Sequence, residues 1–565
     1  MAIAAAALAV ASPNRAFAAH DRFQATIADG GENEAGELRT PQDFENAALD
    51  HPQTGTQSLF SRCRRAPFNG TVGLYNPLTA PEYDAIVDDT LFELVDGTTC
   101  YNPQNEQNIL INPADSQNLV TSSNEYRIDG HAVYYSRDGG HSWTNVALPG
   151  WTSSTGGKGV FSNMSSCGDP VLAFSPNGAR LYYTGLVCNF DKAPRTMSGV
   201  AIAVSTDGGA HWSAPTMVDY RATADFFTDK EWVGTGPNNA VYVTWTKFFQ
   251  GAQGRSYLKS PIFMSKSADG GKTWSAPKAV SDAAHPYNSG SQVGVTPGGA
   301  LIVAYEGGDP STGYATDQLV IARSTNGGAS FTNTQVARVY DDLDCYPFQL
   351  PGAQDRQTLS FEQFRINSFP SMAIDPGTGT IAIAWADDQG AGTCGTGGTS
   401  FTGVTSNQVK LVTSSDGVTW SAPRRLTTGA KDKVYPSVGA NAGRIVVGYY
   451  TRAYSPAPTA ADRSCGIMEL DSVTGNVVPP ADAARAAAPV CMDWAVRSSS
   501  NNFATETRVS KQSSNPYIEF AGSFIGDYTG TAVGSDGKAV TVWTDFRGNP
   551  GLTSPNQDAV VGAGL

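Results

Sequence analysis

The side chains of this chain that could carry out chemistry are acids, tyrosines and arginines placed next to short apolar segments. A tyrosine beside a carboxylate can act as a nucleophile, and a second carboxyl group can protonate a leaving group if burial raises its pKa. Arginine forms bidentate contacts with carboxylate and sulfate groups, so it suits an anionic substrate. The candidates of these three kinds are Tyr528, Asp229, Glu231, Glu306, Asp527, Asp545, Asp387, Arg365, Arg452 and Arg547.

A repeated motif predicts the framework that must position these residues. Ser136-Arg-Asp-Gly-Gly-His-Ser-Trp143 recurs at 205–212 and 267–274, with weaker copies at 324–331 and 414–420. Each copy follows an apolar strand, and Asp-Gly supplies the positive φ values that a tight hairpin turn needs. We therefore interpret the motif, called the box below, as a turn with an architectural role.

A second pattern alternates with the box. It is an apolar strand, a turn containing glycine, and an apolar strand that ends in Trp or Tyr, as in 232–245 and 372–385. Seven such inner hairpins and five boxes give four strands per unit, and such units repeated around a ring form a β-propeller. The sequence predicts an all-β, six- or seven-bladed β-propeller over residues 101–565. It also predicts a signal peptide at 1–18 and an N-terminal arm or partial closing blade at 19–100.

Propeller geometry predicts that the candidate residues meet on one face. The innermost strand of a blade starts, and the second strand ends, on the same face and near the central axis. The candidate acids and Tyr528 precede inner strands or follow second strands, so we expect them to line one mouth. The alternative interpretation is structural, because polar residues at strand ends commonly cap backbone groups or form ion pairs.

The boxes resemble the Asp-box (BNR) repeats of sialidases and their relatives. The resemblance covers roughly residues 101–565. It implies a sialidase-like propeller that acts as a secreted glycoside hydrolase of exo-sialidase type on terminal anionic sugars of glycans. Sialidases also carry an Arg-Ile-Pro motif ahead of the first box. Here Arg127 and Arg365 each stand in Arg-Ile without the proline.

The resemblance implies a role for Tyr528, and the positions of the other candidates at strand ends indicate theirs. Asp527-Tyr528-Thr-Gly530 is a distant analogue of the segment that carries the tyrosine nucleophile of sialidases. In that scheme Tyr528 attacks, Glu306 or Glu231 deprotonates it, and Asp229 is the acid/base. The residues assigned to the substrate are Arg365, Arg452, Arg547, Asp527, Asp545 and Asp387.

Two other functions stay open. A non-catalytic glycan- or protein-binding propeller would present an exposed aromatic platform, for which Trp232, Trp245 and Trp385 are candidates. A polysaccharide lyase on the same scaffold would need a base beside a group that neutralises a uronic carboxylate.

Composition and charge limit the classes of binding partner and the cellular compartment that the sequence allows. The 565 residues carry a net charge of −14 without a basic stripe, which disfavours nucleic-acid binding, and no segment is predicted to span a membrane. Eight cysteines indicate an oxidising compartment, and the simplest pairing joins sequential neighbours. These features predict a secreted or periplasmic protein, which we expect to be a monomer, and the resemblance implies that its partner is a glycan or polysaccharide.

No cofactor is expected from the sequence. The cluster Asp341-Asp342-Leu-Asp344 has the oxygen donors for a structural calcium ion, although a solvated acidic loop is the preferred interpretation.

Overall fold

The computed structural model describes most of the chain from residue 103 onward and a few short segments before it. The described residues are 71–73, 82–86, 92–93, 99–100, 103–189, 198–221, 226–250, 257–314, 316–340, 358–362, 364–388, 405–467, 469–470, 477–516, 524–547 and 556–565.

Within these ranges the chain forms seven antiparallel sheets of four or five strands, two separate strand pairs and a single short α-helix. The inner strand of each sheet contacts the inner strands of the sheets before and after it, and the seventh contacts the first. The sheets are therefore the blades of a closed ring. The prediction of an all-β propeller is confirmed, and the number of blades is seven.

Blades 1 to 4 follow the order of the chain, and each runs outward from the axis strand by strand. Their strands are, for blade 1, Gln104–Asn112, Asp115–Glu125, Ala132–Ser136 and Trp143–Ala147; for blade 2, Val171–Phe174, Leu181–Cys188, Ser198–Ser205 and Thr216–Arg221; for blade 3, Phe226–Thr235, Val241–Gln250, Ile262–Ser267 and Lys278–Ala279; and for blade 4, Asn288–Val295, Leu301–Gly308, Asp317–Ser324 and Thr332–Val339.

Blades 5 and 6 repeat this arrangement, and blade 7 takes its outermost strand from an earlier part of the chain. Their strands are, for blade 5, Ser371–Ile374, Ile381–Asp387, Gln408–Ser414 and Arg424–Arg425; for blade 6, Lys433–Asn441, Arg444–Thr451, Asp493–Ser498 and Thr507–Arg508; and for blade 7, Gly530–Val533, Ala539–Asp545, Asp558–Gly562 and Glu82–Asp84.

The remaining elements are short. The added strands are Thr71–Gly73 on blade 1, Ser165–Ser166 on blade 2 and Tyr257–Lys259 on blade 3, and the two separate strand pairs are Phe92–Glu93 with Thr99–Cys100 and Glu469–Leu470 with Val477–Val478. The helices are the α-helix Ala483–Ala487 and the 3₁₀ turns Gly159–Asn163, Pro310–Thr312 and Ser499–Asn501.

Blade 7 joins distant parts of the chain. Glu82–Asp84 pairs antiparallel with Asp558–Gly562, which in turn pairs with the second strand of the blade. The ring is thereby held by hydrogen bonds between residues more than 470 positions apart. The domain boundaries expected at residues 18 and 100 stay a prediction.

The boxes are the turns between the third and fourth strands of blades 1 to 5. In blade 1 the Ser136 hydroxyl donates to Asp138 (2.7 Å), and Asp138 accepts from the amides of His141 (3.0 Å) and Ser142 (2.9 Å). The Trp143 indole donates to the Gly140 carbonyl (3.0 Å) and its ring is buried. Local side-chain bonds of this kind close each turn, so the predicted architectural role is confirmed.

Apolar side chains of neighbouring blades pack between the sheets. Trp245 lies in the core between blades 2 and 3, and Trp385 lies between blades 4 and 5; both are fully buried. These two residues therefore cannot form an exposed aromatic platform, whereas Trp232 is half-buried.

Two disulfides, Cys167–Cys188 and Cys465–Cys491, join sequential neighbours as predicted. The side chains of the other four cysteines lie outside the described residues, as do Asp341, Asp342 and Asp344. In the described part of the chain, no three His, Cys, Asp or Glu residues are grouped to hold a metal ion. No helix there is both long and apolar enough to cross a bilayer.

The inner strands of all seven blades surround a central channel of about 510 Å³. Because strands alternate in direction, the boxes lie on the face opposite to the one where the inner strands begin. We call the latter the start face. It is the face on which the sequence places the candidate residues.

Candidate active site at the propeller axis

The inner strands of blades 1, 3, 4 and 6 are irregular where they begin on the start face. In each, the pairing with the second strand shifts register near its first residues. Each shift leaves a residue in the left-handed region: Glu106, Lys230, Gly290 and Tyr435 have φ values of 57°, 51°, 64° and 50°. A bulge re-aims a side chain out of the strand alternation, and strained backbone of this kind clusters at functional sites. Side chains from different blades can thereby meet at the axis.

Lys230 lies at the centre of the side chains that meet there. Its Nζ is 2.9 Å from Asp527, 3.3 Å from Asp169, 3.6 Å from Glu106 and 3.7 Å from Asp229. These carboxylates come from blades 1 and 3 and from the segments that lead into blades 2 and 7. The lysine is 4% exposed, so these ionic contacts are shielded from water.

Arg365 is the second cation of this group. Its Nε and Nη2 donate to the two oxygens of Asp527 at 2.9 and 2.6 Å, a bidentate pair. Tyr435 fixes the arginine from the other side, because its hydroxyl donates to the Arg365 carbonyl. Together Lys230, Arg365, Glu106, Asp169, Asp229 and Asp527 form what we call the axial ion cluster.

A layer of amides holds the axial ion cluster in place. Asn124 donates to Glu106 (2.8 Å) and to Asn105 (3.0 Å), and it accepts from the Asp169 amide (3.0 Å). The Asp527 amide donates to Glu106 (3.0 Å). The sequence interpretation did not select Glu106 or Asn124. The available signal was that Asn105-Glu106 opens blade 1 as Asp229-Lys230 opens blade 3.

Two acids with opposite pKa shifts line one small cavity beside the cluster. The cavity measures about 30 Å³ and is bordered by Glu231, Asp527 and Tyr528, among others. Burial raises the pKa of Glu231 well above its usual value, and the nearby Asp169 and Asp229 act in the same direction. Neither Glu231 oxygen has a hydrogen-bond partner on another described residue.

The pKa of Asp527 is shifted in the opposite direction. Burial alone would favour its neutral form, but Arg365 and Lys230 hold its pKa below the usual range. The surroundings therefore favour the protonated form of Glu231 and the ionised form of Asp527. Burial also raises the pKa of Asp229, whose carboxyl group does not line the cavity.

The mouth of the cavity is aromatic and neutral. Trp232, Tyr528, Phe369 and Asn367 are half-buried there. The rings of Trp232 and Tyr528 meet edge to face with centroids 6.1 Å apart. Aromatic rings with a few polar groups are the usual lining of a small-molecule site.

Gly290 shapes this mouth from blade 4. A Cβ atom on Gly290 would lie 2.4 Å from the Phe369 ring, at a φ of 64° that side chains rarely adopt. We expect Gly290→Ala to lower the free energy of unfolding by about 1–3 kcal/mol more than Gly299→Ala, because overpacking adds to backbone strain. Gly299 is the matched control, since its φ is 82° and nothing lies within 4 Å of its Cβ position. Equal losses in denaturant titrations of the two variants would contradict the close contact.

Two of the three predicted anion-binding arginines lie in separate ion pairs. Arg452 donates to Asp432 at 3.1 Å. Arg547 contacts Asp545 at 2.7 Å and Glu82 at 2.8 Å, across the strands of blade 7. Neither arginine lines the cavity.

The remaining predicted residues are spread over several blades. Asp387 accepts from the Trp385 indole (3.0 Å) and pairs with Lys410. Glu306 is buried in blade 4 and does not line the cavity. Arg127 pairs with Glu125 at 2.6 Å in blade 1. The structure thus brings together Glu231, Asp229, Asp527, Tyr528 and Arg365, and it places Glu306, Asp387, Asp545, Arg452 and Arg547 elsewhere.

Comparison with known proteins finds similarity only at the level of solved structures. No protein-family model and no curated protein sequence matches the chain. An α-L-arabinofuranosidase of Fusarium graminearum in complex with arabinobiose is similar over 66% of this chain and 93% of its own, with 14% identity and a TM-score of 0.40. The Hadza microbial sialidase Hz136 is similar over 80% and 74%, with 13% identity and a TM-score of 0.38. A sialidase of Trypanosoma rangeli is similar over 66% and 58%, with 14% identity and a TM-score of 0.38. These similarities are remote, and none assigns an activity to this chain.

Proposed function

We propose that the protein is a glycoside hydrolase that releases a terminal sugar at the start-face end of the propeller axis. The observation that carries the proposal is the pair of buried acids on one cavity, Glu231 with a raised pKa and Asp527 with a lowered one. Pairs of acids whose environments separate their pKa values supply the proton donor and the ionised carboxylate of glycosidic cleavage.

In the proposed first step, Glu231 gives its proton to the leaving oxygen as the glycosidic bond breaks. Tyr528 forms the new bond to the anomeric carbon, and the proton of its hydroxyl passes to the Asp527 carboxylate. Until it accepts that proton, the Asp527 carboxylate also stabilises the positive charge that develops on the sugar. A tyrosine nucleophile is the role that the sialidase resemblance implies for Tyr528.

In the proposed second step, water attacks the anomeric carbon and releases Tyr528. The Glu231 carboxylate takes the proton of that water, and Asp527 returns its proton to the tyrosine. Both acids end in the states in which they started, so the site is ready for another turnover. Two displacements retain the anomeric configuration.

We also propose that the protein works outside the cytoplasm. Cys167–Cys188 and Cys465–Cys491 are intact disulfides, and such bonds persist in oxidising compartments. A secreted or periplasmic location would bring the site into contact with glycans.

The experiment that tests the function is fluorophore release from 4-methylumbelliferyl glycosides. The panel contains the N-acetylneuraminic acid glycoside that exo-sialidase activity requires, the glucuronide, the α-L-arabinofuranoside and the galactosides. We expect turnover of at least one substrate, and Tyr528→Phe should reduce it by at least about a thousandfold, as for other lost nucleophiles.

Tyr454→Phe is the matched control, because Tyr454 donates to Glu506 (2.9 Å) in blade 6, outside the cavity. No turnover of any glycoside by the folded wild type would contradict the proposal, and sugar binding without turnover would favour the glycan-binding propeller. An unchanged rate in Tyr528→Phe would remove Tyr528 as the nucleophile.

A further inference from the structure

We infer that the terminal sugar accepted at this site is neutral, because the cations beside the cavity are already bound to carboxylates of the protein itself. The inference rests on the proposed hydrolase function and specifies its substrate class. It departs from the anionic sugar that the sequence alone predicts.

The contacts of Arg365 and Lys230 show that both cations are already paired with carboxylates of the protein. Arg365 uses two donor atoms on Asp527 at 2.9 and 2.6 Å and is 3% exposed. Lys230 is the only cation among the described residues that border the cavity. It is surrounded by the four carboxylates of the axial ion cluster. A carboxylate on a sugar would have to displace one of these internal partners to reach either cation.

The charge balance also opposes an anionic ligand. Glu231 and the axial ion cluster together hold five acids, namely Glu106, Asp169, Asp229, Glu231 and Asp527, against the two bases Lys230 and Arg365. If Asp229 and Glu231 are both protonated, three carboxylates still face two cations. This excess of acids over bases does not favour the binding of a further negative charge.

The other arginines do not change this balance. Arg452 is held by Asp432, and Arg547 is held by Asp545 and Glu82. Neither borders the cavity. Both guanidinium groups are already paired with carboxylates of the protein. An arginine cluster that binds a sugar carboxylate would need guanidinium groups without such partners.

What the mouth offers instead suits sugar hydroxyl groups and the apolar face of a sugar ring. Asn367 and Tyr528 supply neutral donors and acceptors, and Trp232 and Phe369 supply half-buried rings. Such a lining binds through hydrogen bonds and ring contacts, without an ion pair.

The test compares the binding of neutral and anionic sugars to the full-length protein by ligand-observed NMR. The probes are methyl α-L-arabinofuranoside and methyl β-galactoside against N-acetylneuraminate and glucuronate. We expect a neutral probe to bind to the wild type at least about tenfold more tightly than either anion. An anionic sugar would have to displace a charge-assisted contact within the protein, and one such contact is worth about that much. Tighter binding of an anionic probe, or binding of no probe, would overturn the inference.

A charge-changing variant tests the stated cause. Asp527→Asn removes one negative charge beside Arg365 and Lys230, so the affinity for N-acetylneuraminate should rise at least about tenfold. Asp545→Asn makes the same change beside Arg547 and should leave that affinity unchanged. A gain in neither variant would contradict the committed-cation explanation. If Asp527→Asn does not fold, the wild-type comparison decides alone.

The turnover panel separates this inference from the proposed function. Hydrolysis of only the sialic acid glycoside or the glucuronide would overturn the inference and leave the hydrolase proposal intact. Binding of a neutral probe without hydrolysis of any glycoside would overturn the hydrolase proposal and support the neutral site.

Discussion

Glu231→Gln is expected to slow hydrolysis strongly and, at the same time, to stabilise the protein at neutral and alkaline pH. The substitution keeps the shape of the side chain but removes the proton that the leaving group needs. Loss of a general acid lowers the rate by about 10²–10⁴-fold. The loss of kcat/KM, which reports the first step, should be large for glycosides with a poor leaving group and small for dinitrophenyl glycosides, whose leaving group needs no proton. Equal losses for both kinds of substrate would contradict a proton-donor role.

The gain in stability follows from the raised pKa of Glu231 in the folded state. Below the ordinary pKa of a glutamic acid, the folded and unfolded states both keep the proton. As pH rises above it, the unfolded state ionises first, so stability falls until the pKa of the folded state is passed. The change is up to about 1.4 kcal/mol per pH unit over that interval.

Glutamine does not titrate, so the Tm of Glu231→Gln should match the wild type near pH 4 and exceed it at pH 8. Glu506→Gln is the control, because Glu506 accepts from Tyr449 and Tyr454 away from the cavity. It should show no such gain. A Tm difference for Glu231→Gln that does not change with pH would contradict a buried, neutral Glu231.

Lys230→Met is expected to lower the free energy of unfolding by about 3–5 kcal/mol at pH 7, which is the usual cost of removing one partner from a buried ion pair. The lysine is the shared cation of four buried carboxylates from different parts of the ring. Without Lys230, only Arg365 offsets the mutual repulsion of these four carboxylates. The loss should shrink as pH falls, because protonated carboxyl groups need no counter-charge. Urea titrations at pH 5 and pH 7 measure both effects.

Lys272→Met provides the comparison for this variant. Lys272 lies on the exposed box of blade 3, and its substitution should change stability by less than about 0.5 kcal/mol. A similarly small effect of Lys230→Met would mean that the axial ion cluster does not hold the blades together.

The propeller was predictable because its signals are local. A box is closed by bonds among residues at most four positions apart, such as those from Ser136 and Asp138. An inner hairpin is recognised from its two apolar strands and the glycine-containing turn between them. Neither signal depends on the rest of the chain, so counting them in the sequence gives the repeat.

The site was only partly predictable because its decisive contacts are distant in sequence. The position of a residue at a strand end fixes the face of the ring but not the distance from the axis. Glu231 and Tyr528 reach the axial cavity, whereas Arg547 is held by Glu82, which lies 465 positions away. The pairing of Arg365 with Asp527 spans 162 positions. The bulges that turn Glu106 and Lys230 inward likewise depend on strand pairing.

The most direct test of the central claim is to find where a trapped sugar is attached. A 2-deoxy-2-fluoro analogue of the best substrate, carrying a good leaving group, slows the second step, so the covalent intermediate accumulates. After tryptic digestion, mass spectrometry should find the sugar on the peptide 512–538, and fragment ions should place it on Tyr528. A sugar attached to any other residue, or hydrolysis of the parent substrate with inversion and no adduct, would contradict the account.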